Sequence, residues 1–194
     1  LASNIGTLTI TVTPINDLPE VTGSGSTLTY TEGDGQVVID NTISLNDVDN
    51  TNLSSASIVI SANYTSGEDV LGFINQAGIT GNFSNGTLTL SGDATLADYA
   101  TAVRSITYEN TSAAPNNAMR VVEYTVNDGN GNSQPYIINI EIIPVIEPAV
   151  ITLPGGGSTI NLDYTEGDGA VAISPEVSFA DPDDTNLEGA TVRF

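Results

Sequence analysis

The chain has no cysteine, histidine, tryptophan or lysine, and its only basic residues are three arginines, Arg104, Arg120 and Arg193. Each absence removes a chemistry. Without cysteine or histidine there is no thiol nucleophile, no Ser-His or Cys-His pair and no zinc site of thiolate or imidazole ligands. Without lysine there is no Schiff base, no P-loop phosphate cradle and no lysine-dependent isopeptide cross-link. No apolar run reaches the roughly 18 residues of a membrane helix, and the N-terminus lacks the basic, apolar, small-residue order of a signal peptide. The missing cysteines leave the compartment open, because an extracellular protein can be stabilised by bound ions instead of disulfides.

What the chain has in excess is acid. Its 194 residues carry 24 Asp and Glu, for a formal net charge of −21. Nucleic acid and anionic membrane are held mainly by Lys and Arg, so neither nucleic-acid binding nor direct membrane insertion is expected. The natural counter-ions of such a polyanion are metal cations. With 39% hydrophobic residues the chain is no disordered acidic tail. It has the means to build a core, in one large or two small domains.

The sequence repeats itself. Leu28-Thr-Tyr-Thr-Glu-Gly-Asp-Gly35 returns as Leu162-Asp-Tyr-Thr-Glu-Gly-Asp-Gly169, and the gap-free match runs from Leu28–Ile60 to Leu162–Phe194 with 16 identities in 33 positions. The offset is 164 − 30 = 134, while upstream Thr9–Pro14 aligns with Asn139–Pro144 at 144 − 14 = 130, so a few residues are inserted around Gly155–Gly157. The expected organisation is therefore the last strand of a preceding repeat at 1–13, a linker at 14–19, one complete repeat at 20–143, a linker at 144–148 and the opening part of a further repeat at 149–194. That phase is expected of a window cut from a longer tandem array.

Within the complete unit the apolar period is two. Thr7–Thr13, Gln36–Ile39, Ser57–Ile60, Gly86–Leu90, Val121–Val126 and Tyr136–Ile142 alternate apolar and polar residues and are rich in Val, Ile, Thr and Tyr. Turn residues such as Ser84-Asn-Gly86 and Asn127-Asp-Gly129 punctuate them. Only Ala94–Val103 has helical spacing, with Leu96, Tyr99 and Val103 on one face. The pattern predicts an all-β, antiparallel, immunoglobulin-like sandwich with one short helix.

The acids and amides fall in a few turns. Asn46-Asp-Val-Asp-Asn-Thr-Asn52 recurs as Ala180-Asp-Pro-Asp-Asp-Thr-Asn186, keeping an Asp-x-Asp-x-x-Asn core. Asn127–Asn132, the connector Pro14-Ile-Asn-Asp-Leu-Pro19, and Glu32 with its copy Glu166 complete the set. Carboxylates one residue apart can face the same concavity of a turn, which suits a hard cation taking six to eight oxygen ligands. The segment from Asp128 is not an EF-hand, since its sixth and twelfth positions are Ser133 and Asn139 in place of Gly and Glu.

These motifs resemble the cadherin-like repeats of large bacterial surface proteins and the related proteoglycan repeats. Tyr-Thr-Glu-Gly-Asp-Gly followed by Asp-x-Asp is similar to the cadherin strand A glutamate and its later acidic motif. Asn16-Asp-Leu-Pro19 resembles the family linker, and Val126-Asn-Asp-Gly129 the final hairpin. The short helix with Arg104–Thr111 is closer to the bacterial and proteoglycan types. The resemblance implies Ca2+ at the domain junctions, held at the first by Asn16, Asp17, Asp47, Asp49, Asn52 and Asp128, and at the second by Glu32, Glu147, Asp181, Asp183 and Asn186. The second linker, Val145-Ile-Glu-Pro148, departs from the Asn-Asp pattern, so fewer ions or none are expected there.

The function this implies is a calcium-stiffened stalk segment of a secreted or cell-surface bacterial adhesin or filament. Its direct partners are the neighbouring repeats, with surface glycans or proteins engaged elsewhere in the parent. The alternative is a carbohydrate- or protein-binding module, for which seven tyrosines are available. Catalysis is not expected, because the carboxylates lie in short turns with no long loops to build a cleft and no histidine or tryptophan to line one. Five Asn-x-Ser/Thr sequons, at Asn52, Asn63, Asn82, Asn85 and Asn110, are frequent enough by chance in a chain so rich in these residues.

Overall fold

The computed structural model describes residues 5–157, 159–174 and 176–193. Thirteen strands and one α-helix follow in chain order: β1 (Glu20–Thr22), β2 (Leu28–Thr31), β3 (Val37–Val38), β4 (Ser44–Asn46), β5 (Asn52–Ala62), β6 (Asp69–Gly72), β7 (Thr80–Ser84), β8 (Thr87–Thr95), α1 (Leu96–Arg104), β9 (Thr107–Asn110), β10 (Arg120–Asn127), β11 (Tyr136–Ile143), β12 (Val150–Thr152) and β13 (Ser178–Ala180). The chain is an all-β sandwich, as the period of two predicts. A six-stranded sheet ordered β2-β11-β10-β5-β8-β7 and a three-stranded sheet ordered β3-β9-β6 share one core, and the pair β1-β4 closes an end.

Period two buries alternate residues. Along β10, Val122, Tyr124 and Val126 point inward beside Ala56, Ile58 and Ile60 of β5, while Val121, Glu123 and Thr125 stay partly exposed. Tyr30 of β2 meets Tyr108 of β9 edge to face, with centroids 5.0 Å apart and planes at 87°, joining the two sheets. Most pairings are antiparallel. The exception brings the first and last strands of the six-stranded sheet together: β11 runs parallel to β2, from Ile140 opposite Leu28 to Ile143 opposite Thr31.

The helix falls one to two residues later than its spacing predicts, because Thr95 caps it. The Thr95 hydroxyl accepts from the Asp98 N–H at 3.1 Å, and Asp98 sits in the first turn with Arg104 in the last, each favourable to the helix dipole. Tyr99, Ala102 and Val103 enter the core; Leu96 packs at its margin. Among the described residues no helix is long and apolar enough to cross a membrane.

The duplicated sequence folds in the same register. Glu20 pairs with Asn46 in β1-β4, and Val150 pairs with Ala180 in β12-β13, which are the same partners at offsets of 130 and 134. The turn after β2 also recurs: the Thr31 N–H donates to Asp34 Oδ2 at 2.9 Å, and Thr165 donates to Asp168 Oδ2 at 2.9 Å. One expected strand differs. Thr7–Thr13 alternates correctly but has no hydrogen-bonded neighbour, and Leu8, Ile10 and Val12 are exposed. Its aligned segment, β11, lies between β10 and β2, and no such neighbours flank residues 7–13. Leu162–Thr165 likewise keeps its turn without the pairing of β2. Residues 1–4 of the expected leading strand, and Phe194 at the end of the sequence match, lie outside the described residues.

Candidate metal centre

Three segments converge beside the start of β5: the first linker, the Asp47–Asn50 turn and the hairpin between β10 and β11. The turn is built by its own acid. Asp47 Oδ1 accepts the N–H groups of Asp49 at 3.1 Å and Asn50 at 3.0 Å, the local bond for which Asp is favoured in turns. In the hairpin, Asp128 Oδ1 accepts from Asn130 and Gly131, both at 2.7 Å, and Gly129 takes the positive φ of 97° that this reversal requires.

The linker joins both loops. The Asp17 N–H donates to Asp49 Oδ2 at 3.1 Å, and the Asn16 amide donates to Asp128 Oδ2 at 2.9 Å. Asn50 Nδ2 reaches Asn16 Oδ1 at 2.9 Å and Asp128 Oδ2 at 3.1 Å, and Asn130 Nδ2 reaches Asn16 Oδ1 at 3.0 Å. Burial pushes the Asp128 carboxyl up, but the Gly131 and Asn130 N–H groups and the Asn16 amide outweigh it and hold the group below the ordinary carboxylate range.

The structure thus gathers Asn16, Asp17, Asp47, Asp49 and Asp128, and it leaves out Asn52. That side chain donates to Asp93 Oδ1 at 2.9 Å, because Asn52 already belongs to β5 and lies opposite Thr95 of β8. Its place is taken by Asn50. Asn50 becomes Asp184 in the second copy, so a comparison keeping only identical residues passes over it. Asn130 is the other amide the sequence reading did not single out, although it lies in the quoted Asn127–Asn132 cluster.

At the second junction the same frame recurs in part. The Glu147 N–H donates to Asp183 Oδ2, repeating the contact of Asp17 with Asp49, and Asp181 Oδ1 accepts from Asp183 at 3.1 Å and Asp184 at 3.2 Å. Glu32 is tied to this linker through Oε2, which accepts the Val145 N–H at 2.9 Å. Glu32, Glu109 and Glu147 line one cleft of about 430 Å3, to which β9, paired with both β3 and β6, brings Glu109. Asn186 lines a separate hollow of about 290 Å3 with Asp181 and Asp184.

Among the described residues no three Asp, Glu, His or Cys side chains converge closely enough to hold a metal ion alone. Any cation at the first junction would therefore take amide and carbonyl oxygens beside carboxylates, a mixture that suits calcium. One atom fits that role. Among the described residues Asp47 Oδ2 is buried without a hydrogen-bond partner, and a buried carboxylate oxygen left this way is costly unless something positive meets it.

No family model matches the chain, and no solved structure matches it. A curated relative is Halomucin of Haloquadratum walsbyi (strain DSM 16790 / HBSQ001), 29% identical over 112 residues. The match covers 54% of this chain and 1% of Halomucin, so the chain spans only about a hundredth of that protein's length.

Proposed function

We propose that the chain is a stalk segment of a secreted or cell-surface adhesin or filament, in which Ca2+ at the junctions between cadherin-like repeats turns flexible linkers into a rod. The observation that carries the reading is the double tether of the first linker, Asn16 to Asp128 and Asp17 to Asp49, around the unpartnered Asp47 Oδ2. Asn16, Asp17, Asp47, Asp49, Asn50 and Asp128 would hold the ion, which supplies positive charge to bind the linker to both loops. The second junction, where Glu147 meets Asp183 beside Asp181 while Glu32 and Asn186 line separate hollows, would hold its ion more loosely. The recurring strand register supports tandem repetition with the boundaries expected from the sequence. The likeness to a stretch of Halomucin, a very large archaeal surface protein, supports a surface location and widens the bacterial expectation.

The reading includes no catalytic step. The rival module that stacks tyrosines on sugar is disfavoured, since Tyr30, Tyr99, Tyr108 and Tyr124 are buried, Tyr64 and Tyr136 pack against the core, and of the seven Tyr164 alone is exposed. Small-angle scattering with and without calcium tests the proposal. Calcium should lengthen the particle and narrow its distribution of shapes. An unchanged scattering curve together with no calcium uptake by calorimetry would sink it, and micromolar capture of one sugar on a glycan array would promote the rival.

A further inference from the structure

The five sequons are equivalent in sequence and unequal in the fold. In three of them the acceptor amide and the hydroxyl two residues on are both engaged. Asn52 Nδ2 donates to Asp93 Oδ1 at 2.9 Å and the Ser54 hydroxyl to Asn127 O at 3.1 Å. Asn63 Nδ2 donates to Met119 O at 2.7 Å, while Thr65 Oγ1 accepts from Asn116 at 3.3 Å. Asn110 is buried, its Nδ2 donating to Asp69 Oδ1 at 2.8 Å, and Ser112 Oγ accepts the Ala114 N–H at 3.2 Å. The other two, Asn82-Phe83-Ser84 and Asn85-Gly86-Thr87, lie back to back in the hairpin of β7 and β8. Among the described residues neither their amides nor their hydroxyls make a side-chain hydrogen bond, and Asn82, Ser84 and Asn85 are exposed.

The hairpin also presents them well. Asn85 and Gly86 take φ of 49° and 77°, the tight reversed turn that Asn-Gly favours. β7 is the outer strand of the six-stranded sheet, so no strand pairs with one side of its backbone, although the Gly81 N–H donates to Asn75 Oδ1 at 2.9 Å. The tip lies beside Ile60, whose N–H donates to Gly86 O at 2.8 Å, at the end of β5 away from Asn52 and the candidate metal centre.

We propose that this hairpin is an N-glycosylation site, with Asn82 and Asn85 as acceptors. The donor class is a saccharide carried on a polyprenyl diphosphate, used by a membrane oligosaccharyltransferase. The amide Nδ2 attacks C1 of the sugar, the C–N bond forms as the C1–O bond to diphosphate breaks, the polyprenyl diphosphate leaves, and the amide proton passes to the transferase. A glycan here would also shield the open edge of β7, which otherwise invites pairing with another chain. In the cell the reaction rests on the secreted or surface reading of Proposed function; with purified components it does not.

The test incubates the folded chain with a purified oligosaccharyltransferase that accepts Asn-x-Ser/Thr and with its polyprenyl-diphosphate-linked saccharide, then maps the product by mass spectrometry. The sugar mass should appear on the peptide carrying Asn82 and Asn85, and peptides with Asn52, Asn63 or Asn110 should stay unmodified. The Asn82→Asp/Asn85→Asp and Ser84→Ala/Thr87→Ala variants should each abolish the addition while keeping the parent's circular dichroism. An unmodified hairpin, comparable addition at the other three asparagines, or addition that persists in both variants would overturn the proposal.

Discussion

Arg120 and Asp69 form an ion pair with both side chains fully buried, Nε to Oδ1 3.2 Å. Asp69 also accepts from the Tyr108 hydroxyl at 2.6 Å and the Thr65 N–H at 2.7 Å, while Arg120 Nη1 donates to Asn116 O and Ala118 O. Removing one partner strands the other charge in the core. Asp69→Leu should therefore cost about 3–5 kcal/mol in urea unfolding, and Asp69→Leu/Arg120→Met should recover most of it. A double variant no more stable than the single one would show that the hydrogen bonds to Asp69, not the charge pair, dominate.

Calcium should stabilise the chain by mass action. With the roughly 0.1–1 mM affinities of extracellular calcium modules, a few millimolar calcium adds about 1–2 kcal/mol per site. Chelation by EDTA should then lower Tm by several degrees. Identical melting with and without EDTA, together with no calcium uptake by calorimetry, would exclude the ion.

The two junctions should differ. The first linker is bonded both to the Asp47–Asn50 turn and to the β10–β11 hairpin, whereas the Asp181–Asp184 turn has one linker contact, from Glu147 to Asp183. Asp47→Ala should weaken calcium binding more than Asp181→Ala in titration calorimetry. Equal losses or the reverse order would refute the ranking.

Acid should act through Asp40. Burial raises its carboxyl, but bonds from Thr42, Tyr136 and Ser24 prevail and hold it below its ordinary 3.8. A folded value below the unfolded one gives stability that is complete above about pH 4 and lost as pH falls through the folded value. Asp40→Asn should therefore lose stability at pH 7 and show a shallower decline below pH 4. Parallel urea-midpoint profiles for the two proteins would contradict this.

Salt should help independently of calcium. Arg120 is buried and paired with Asp69, so only Arg104 and Arg193 lie outside the core to offset the other acids of the 24. Screening shortens from about 30 Å at 0.01 M to 3 Å at 1 M salt, relieving self-repulsion. In EDTA, Tm should rise steadily with sodium chloride. A flat or falling curve would show that the acids are already spaced widely enough.

The alternation in Ser57–Ile60, Val121–Val126 and Tyr136–Ile142 made the central strands legible, because each buries one face. Strands β6, β7 and β9 were not: Thr80–Ser84 has one large apolar residue, Phe83, and Asp69–Gly72 places a buried acid where alternation calls for an apolar side chain. Of the candidate site, Asp47 and Asp49 could be read from the duplication, and Asn16, Asp17 and Asp128 from the family resemblance. The exchange of Asn52 for Asn50 could not, since it depends on where β5 begins. Nor could the recruitment of Glu109, which depends on strands distant in sequence.

The parallel pairing of β2 with β11 decides how the domain answers a pull. A load applied through the two linkers draws the chain toward β2 one way and the end of β11 the other, along the strand axes. The four residue pairs from Leu28–Ile140 to Thr31–Ile143, with the Glu32 N–H bonded to Ile143 O, are then sheared together instead of being unzipped one at a time. Forced rupture is governed by the unfolding rate, and this sheared patch, together with the β1–β4 pair between it and the first linker, lies in the path of such a load.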